Sequence, residues 1–310
     1  MEDGIIRCVG VPSERFDEDA LRILRAVRFA AQLGFVIEDA TQNAMREQAK
    51  FLADISAERI QVELTKLIMS AHPDMLVKAY ELGLTRIILP EFDLMMETEQ
   101  NNPYHMYSVG WHTIHVMEHV PAQMIARYAA LLHDIGKPDC KTTDDKGIDH
   151  FYGHPELSKQ MANTILRRLK LDNHTISAVQ TLVLNHDYGI SGNIGIKAFR
   201  RFLGKLGIDN FDDFVMLRKA DMAGQSDYKL AEKTATIESL QEMYETVVRE
   251  KQAIGISDLA ITGKDLIAMG MKPGRELGQV LHELLEHVLD VPEDNTSEIL
   301  LSMANKLINK

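Results

Sequence analysis

The chain has 310 residues, with 46 acidic against 34 basic side chains and a formal net charge of −12. That length supports a large core in two or three compact units, and an acidic chain is a poor non-specific ligand for nucleic acid, so any RNA contact needs a local basic surface. Cys8 and Cys140, outside any Cys-x-x-Cys pair, exclude a disulfide framework or a zinc ribbon, and no signal-like start or bilayer-length apolar run is present, so a cytoplasmic protein without a membrane partner is expected.

In chain order the pattern is helical. "DEDALRILRAVRFAAQLGF" places Leu21, Leu24, Val27 and Leu33 at three- and four-residue steps. This predicts one helix with Asp17 as N-cap, Glu18 and Asp19 as first-turn acids and Gly34 as its stop. "SAERIQVELTKLIMS" predicts a helix capped by Ser56, and "HPDMLVKAYELG" one with Pro73 at its start and Gly83 at its end. "LPEFDLMMETEQNNPYH" is rich in breakers and amides and reads as a junction. Helices resume at "SVGWHTIHVMEHV", where Trp111 is expected to pack beside His112. In "CKTTDDKGIDHFYGHP" the Asp-Lys-Gly triplet predicts a turn in a short hairpin or irregular loop. Later helices are separated by "GISDLAITGKD" and "GMKPGREL". No repeat or low-complexity tract interrupts the pattern, the scattered methionines read as core filler, and the fold class is all-α.

The stretch "YAALLHDIGKPD" sets His133 beside Asp134 at the end of an apolar run. Adjacent residues on a helix diverge by about 100°, so both reach one ion only near a helix end, which "IGKP" supplies. Further ligand candidates are His112, His115 and His119 on one helix face and His150 and His154, four residues apart. His186 in "LVLNHDYG" and Asp221 in "LRKADMAG" complete the set. Imidazole and carboxylate donors suit Mn, Fe, Co, Ni, Zn or Mg better than a soft thiolate metal. Such a site could lower the pKa of a bound water and neutralise phosphate charge. A lone histidine reads as well as a hydrogen-bonded core residue, so the combination carries the argument.

A second pattern is the stripe Asp19, Arg22, Arg25 and Arg28. Steps of three fall about 60° short of a turn, so the stripe is slanted. A solvated face with i,i+3 ion pairs gives the same spacing. An accepting Asp beside a donating Arg also matches a base's Watson–Crick edge, with further arginines for phosphate. The basic segments "RRLK" (167–170) and "FRRFLGK" (199–205) are candidate RNA contacts, each equally readable as a charged solvated face.

"LLHDIGK", the upstream histidines, "GHP" and "RKADMAG" together resemble the HD-domain phosphohydrolase superfamily. The resemblance implies a core metal site of His112, His133, Asp134 and Asp221, a second ion at His154 and His186, and one or two divalent ions (Mg, Mn, Ni, Co, Fe or Zn). It also implies catalytic roles for Asp134 and Lys137, the lysine touching substrate phosphate, and nucleotide or cyclic phosphoester substrates. His112 is preferred to His115 on the "WHTIHV" alignment alone, and His150 stays open beside His154.

A longer resemblance runs in order over essentially the whole chain. "EDALRILRAVRFAAQLGF", "ISAERIQVEL", "PEFDLMMETEQNNPYH", "LLHDIGKP", "HFYGHPELS" and "ITGKDLIAMGMKPGRELGQVL" are similar to the bacterial tRNA nucleotidyltransferases (CCA-adding enzymes) and poly(A) polymerases. It implies that Asp19 and Arg22 form a protein template selecting ATP or CTP, that Arg25 and Arg28 are further nucleotide contacts, and that tRNA is a partner. It implies neck and body helices over 1–100, an HD domain over 101–230 and a tRNA-facing helical tail over 231–310. Ahead of the Glu18–Arg22 element neither the family's Gly-Gly-x-x-Arg-Asp turn nor its metal-binding DxD carboxylate pair occurs. The expected protein is therefore the neck, HD and tail part without the polymerase head, using ATP or CTP only if that head is supplied, for instance by a separate chain. The alternatives are a non-catalytic tRNA-binding module, half of a split enzyme, or a stand-alone HD hydrolase, which would have no use for the template helix.

Overall fold

A computed structural model describes residues 4–104, 106–189 and 194–308, leaving His105 of the "NNPYH" motif outside the description. The all-α expectation holds. The strands are two-residue pieces: β1 (Ile5–Ile6) runs parallel to β2 (Val36–Ile37), and β3 (Thr142–Thr143) runs antiparallel to β4 (Asp149–His150). The chain forms two compact units, Met1–Tyr188 with Asp212–Leu230, and Gly189–Phe211 with Ala231–Lys310. Residues 1–100 and most of 101–230 thus share one unit, and residues 189–211 group with 231–310.

In the first unit the expected single N-terminal helix is two, α1 (Pro12–Glu18) and α2 (Leu21–Leu33). Asp17 therefore lies inside α1 and is not an N-cap. Pro12 starts a helix earlier, as its fixed φ allows. Asp19 then turns extended (φ −158°, ψ 102°) and accepts the Leu21 N–H on Oδ1 at 3.1 Å, so the side chain that ends one helix restarts the next. Gly34 closes α2 in the left-handed conformation, as predicted. Next come α3 (Asp39–Gln48), α4 (Ala57–Ile68), α5 (Met75–Glu81), α6 (Thr85–Ile88) and α7 (Pro90–Glu97). The first half of the expected junction is thus helical, because Pro90 fits a first helical position and Glu91 and Asp93 suit the positive end of the dipole. Ile23, Leu24, Val27, Ala30 and Ala31 of α2 are buried against α4 and α5.

The same unit continues with α8 (Val109–His119), α9 (Met124–Leu132), α10 (Lys137–Cys140), α11 (His154–Arg168) and α12 (Asn173–Asn185). Tyr128 of α9 shares a 2.7 Å hydrogen bond with Thr65 of α4, and burial pushes its phenol up to about 12. The second unit holds α13 (Ile196–Leu206), while most of α14 (Phe211–Ala223) belongs to the first. Then follow α15 (Leu230–Arg249), α16 (Gly263–Ala268), α17 (Arg275–Val288) and α18 (Ser297–Ile308), around a core that includes Leu266, Leu284, Val288 and Leu300.

The arginines of the two basic segments are partly engaged inside the protein. Arg200 is buried, donating to Gln252 Oε1 at 2.7 Å and to the Leu289 carbonyl at 2.8 Å, and Arg201 pairs with Glu286. Arg168 grips both Glu91 oxygens, and Arg167 donates to Asn163. Arg168, Arg200 and Arg201 are thus engaged within the protein, while Lys170 and Lys205 stay exposed.

The predicted hairpin forms, with Gly147 at φ 78° in its turn. Asp149 fastens it to the irregular segment after α7. Its oxygens accept from the Asn101 N–H (2.8 Å), Thr143 Oγ1 (2.7 Å) and Lys141 Nζ (2.8 Å). Burial alone would raise the carboxyl, but these donors hold it at about 2, below the ordinary 3.8. The stabilisation it adds is present above the ordinary carboxylate pKa and is lost as pH falls through about 2. Asp149→Asn should cost about 1–3 kcal/mol in urea unfolding near neutral pH. The gap between variant and wild type should shrink as pH is lowered from 5 toward 2.

Candidate metal centre and template cleft

Six of the predicted ligands converge within the first unit. α9 is apolar enough ("MIARYAALL") to be drawn into the core, so the turn after it, carrying His133 and Asp134, opens in the interior. Gly136 lets that turn lie against α11, where a Cβ would stand 2.8 Å from the Ser158 nitrogen, and its N–H donates to Ser158 Oγ at 2.9 Å. His112 comes from α8, His154 opens α11, His186 follows α12 and Asp221 lies on α14. All six are buried.

The four imidazoles are oriented alike. Each Nδ1 faces a backbone carbonyl: Gly224 for His112 (3.0 Å), Ala130 for His133 (2.8 Å), Phe151 for His154 (2.8 Å) and Val183 for His186 (2.7 Å). Donation there leaves the lone pair of a neutral ring on Nε2. The Nε2 atoms meet in pairs, His112 with His133 at 3.3 Å and His154 with His186 at 3.2 Å. Asp221 Oδ1 lies 3.0 Å from His112 Nε2. Asp134 stands between the pairs. Its Oδ2 is 3.2 Å from His133 and 3.6 Å from His112, and its Oδ1 is 3.2 Å from His154 and 3.5 Å from His186.

Two donor groups result, His112–His133–Asp221 and Asp134–His154–His186, joined by one carboxylate. Lone pairs facing across 3.2–3.3 Å repel unless positive charge lies between them. Neither Asp134 oxygen has an aligned hydrogen bond among the described residues. Both observations fit divalent ions held by nitrogen and oxygen donors. Burial opposes ionisation of every group, yet Asp134 beside His133 and Lys137, and Asp221 beside His112 and Arg218, are held well below the carboxylate range. Burial likewise lowers His154, but Asp134 and Asp187 overcome it and push the ring up to about 10.

Other expectations fare differently. His115 pairs with Glu118 and His119 bonds the His115 carbonyl, so neither joins the cluster. His150 contacts Asp144 and stacks on Tyr152. Trp111 does not pack beside the site but is 42 % exposed, because a residue adjacent to an inward-facing His112 is rotated outward by about 100°. Lys137 is buried, 2.7 Å from Asp134 Oδ2 and 3.0 Å from Gln100 Oε1. Sequence reasoning missed Asp187, at 3.2 Å from His154 Nε2, and Arg218, at 3.2 Å from Asp221. The signal was available, since "NHDYG" repeats the His-Asp dipeptide and "RKAD" sets Arg218 one helical turn before Asp221.

The arginine stripe does not form one surface. Asp19 Oδ2 pairs with Arg59 of α4 at 2.7 Å, and Arg22 donates to the Arg15 carbonyl and to Glu18. Both lie at the break between α1 and α2. Beside it is an open cleft of about 410 Å³, bordered by Phe16, Glu18, Asp19, Phe51, Asp54 and Arg59. This lining suits a base edge better than a phosphate. Arg25 is exposed, whereas Arg28 turns inward to Glu63 at 3.0 Å.

Comparisons agree with this architecture. Residues 142–304 match the family profile for tRNA nucleotidyltransferase domain 2, and residues 34–96 match that for the "Probable RNA and SrmB-binding site of polymerase A". The chain belongs to the tRNA nucleotidyltransferase and poly(A) polymerase family. It is 31 % identical over 294 residues to a CC-adding tRNA nucleotidyltransferase of Thermus thermophilus, spanning 90 % of this chain and 64 % of that protein. It is 30 % identical to a CCA-adding enzyme of Lactiplantibacillus plantarum, spanning 98 % of this chain and 63 % of the relative. The chain thus spans a little under two thirds of these relatives. Its fold matches the Bacillus stearothermophilus CCA-adding enzyme in complex with CTP, with a TM-score of 0.66 at 23 % identity over 98 % of this chain and 66 % of that one.

The two contacts bracing α2 on α4 should differ sharply in weight. The Asp19–Arg59 pair is half open to solvent, so Asp19→Asn should change stability by less than about 1 kcal/mol. Glu63→Ala strands a buried guanidinium and should cost about 3–5 kcal/mol. Urea denaturation of both variants measures this directly.

Proposed function

We propose that this chain supplies the nucleotide template and body of a tRNA nucleotidyltransferase, and that its histidine–aspartate centre is a divalent-metal site for phosphoester hydrolysis. The observation that carries the second half is Asp134, buried, without an aligned hydrogen bond among the described residues, and reaching both imidazole pairs. A divalent ion there would supply Lewis acidity and charge neutralisation for a phosphoester. His112, His133 and Asp221 would hold one ion and His154 and His186 the other, with Asp134 touching both. Their Nδ1 bonds to carbonyls keep the Nε2 atoms aimed inward without reorganisation. Lys137 balances the Asp134 carboxylate from inside the protein, and its role at substrate phosphate would be electrostatic from that position.

For the template, the reading rests on the acidic cleft lined by Asp19, with Arg22 paired to its neighbouring lining residue Glu18, and on the family. The relatives' names point to CTP and ATP as nucleotides and tRNA as acceptor. Nucleotide addition also requires metal-bound carboxylates at the reacting phosphate. In this reading that step is assigned to the portion of the relatives beyond the aligned 63–64 %. Asp19 would accept from, and Arg22 donate to, a base edge after exchanging their present partners Arg59 and Glu18. Arg25 remains available for phosphate, and Arg28 serves the body.

The test starts with metal-stripped protein. Added Mn²⁺, Co²⁺ or Ni²⁺ should bind and, at about 100 times its Kd, raise stability by about 2.7 kcal/mol per ion. Affinity should rise with pH as the imidazoles lose protons. Turnover of bis(p-nitrophenyl) phosphate or a cyclic nucleotide should appear with the metal and drop to background in Asp134→Ala. No ion uptake and no turnover, with salt-sensitive tRNA binding, would instead favour a non-catalytic tRNA-binding body.

A further inference from the structure

Two carboxylates flank the His154–His186 pair. Asp134 Oδ1 lies 3.2 and 3.5 Å from their Nε2 atoms. Asp187 spans the same pair, Oδ2 at 3.2 Å from His154 and Oδ1 at 3.4 Å from His186. Donors bound at about 2.1 Å to one ion stand about 3.0 Å apart at right angles and about 3.4 Å apart at tetrahedral angles. These separations, and the 3.2 Å between the two nitrogens, fit one shared ion. A surface acid that merely neighbours a histidine contacts one ring, whereas Asp187 places one oxygen against each. Its side chain is 32 % exposed against 2 % for Asp134, so it closes the solvent side of the group.

Arg218 ties this acid to the other half of the centre. It is buried, with Nη1 3.2 Å from Asp221 Oδ2 and 3.9 Å from Asp187 Oδ1. Counting Asp187 also makes the halves alike. His112 and His133 would have Asp221 and Asp134, and His154 and His186 would have Asp187 and Asp134, the shared carboxylate in the middle.

We propose that Asp187 is a ligand of the second ion, completing a two-histidine, two-carboxylate set with His154, His186 and Asp134, and that Arg218 is the positioning residue holding Asp187 and Asp221 in place. This rests on the divalent-ion reading of the centre. The oxygen-rich set suits Mn²⁺ or Fe²⁺. The experiment is a Mn²⁺ titration of the metal-stripped full chain, following free Mn²⁺ by electron paramagnetic resonance and heat by calorimetry, with circular dichroism confirming the fold of each variant. Wild type should take up two ions. Asp187→Asn, nearly isosteric, should keep one at wild-type affinity and weaken the other by about 10–100-fold, and Asp187→Glu should restore part of the loss. Arg218→Gln should weaken both ions, each less than loss of a ligand would, because it contacts Asp221 of the first as well as Asp187 of the second. Two ions at unchanged affinity in Asp187→Asn overturn the ligand assignment but leave the centre standing. No Mn²⁺ bound by wild type overturns the centre itself.

Discussion

A single carboxylate, Asp134, sits in the interior of the first unit within 3.2–3.6 Å of four imidazole nitrogens. Burying a charge is costly unless opposite charge and hydrogen-bond donors surround it. The helices of this unit meet that requirement from several directions. His112, His133, His154 and His186 arrive from four separate helices, and Lys137 arrives from the turn that follows. Each imidazole is locked by a carbonyl, three of them by the carbonyl three residues earlier in the chain, so the rings are preorganised by their own helix ends. Neutral imidazoles whose Nε2 lone pairs face each other across 3.2–3.3 Å repel, and a cation between them would relieve that repulsion.

The neck solves a similar problem differently. α4 braces α2 with two acid–arginine pairs one helical turn apart on α4: Arg59 to Asp19 near the surface and Glu63 to Arg28 inside. The inner pair fixes the helices, and the outer one holds a carboxylate beside an open cleft. Buried pairs are rigid and exposed ones exchange readily, so the division suits a fixed scaffold with an adaptable recognition edge. One charged position of "ALRILRAVRF", Arg28, has its partner, Glu63, in "ERIQVEL".

Much of this was legible in linear form. The three- and four-residue apolar steps of α2 and α4, the Gly34 stop and the Asp-Lys-Gly hairpin all formed, because each rests on local backbone preference or one-sided burial. The six candidate ligands His112, His133, Asp134, His154, His186 and Asp221 were named from spacing and resemblance, and they meet. What failed did so for identifiable reasons. The break at Asp19 came from a side chain capping a new helix, a choice equally open to Asp17 by sequence. The basic runs near 168 and 200 found acidic and carbonyl partners tens of residues away, which no local pattern records.

The sequence by itself determined the helical class, the places where the chain must turn, and which side chains are candidates for metal and nucleotide chemistry, since those follow from residue type and short-range periodicity. Only the tertiary structure decided which of several equivalent residues serve. It chose His112 over His115 and His154 over His150, turned Arg28 inward and Trp111 outward, and brought Asp187 and Arg218 to a centre where they had not been expected. Rotation of about 100° per residue on a helix settles such choices, and which face turns inward is fixed by the helices packed around it.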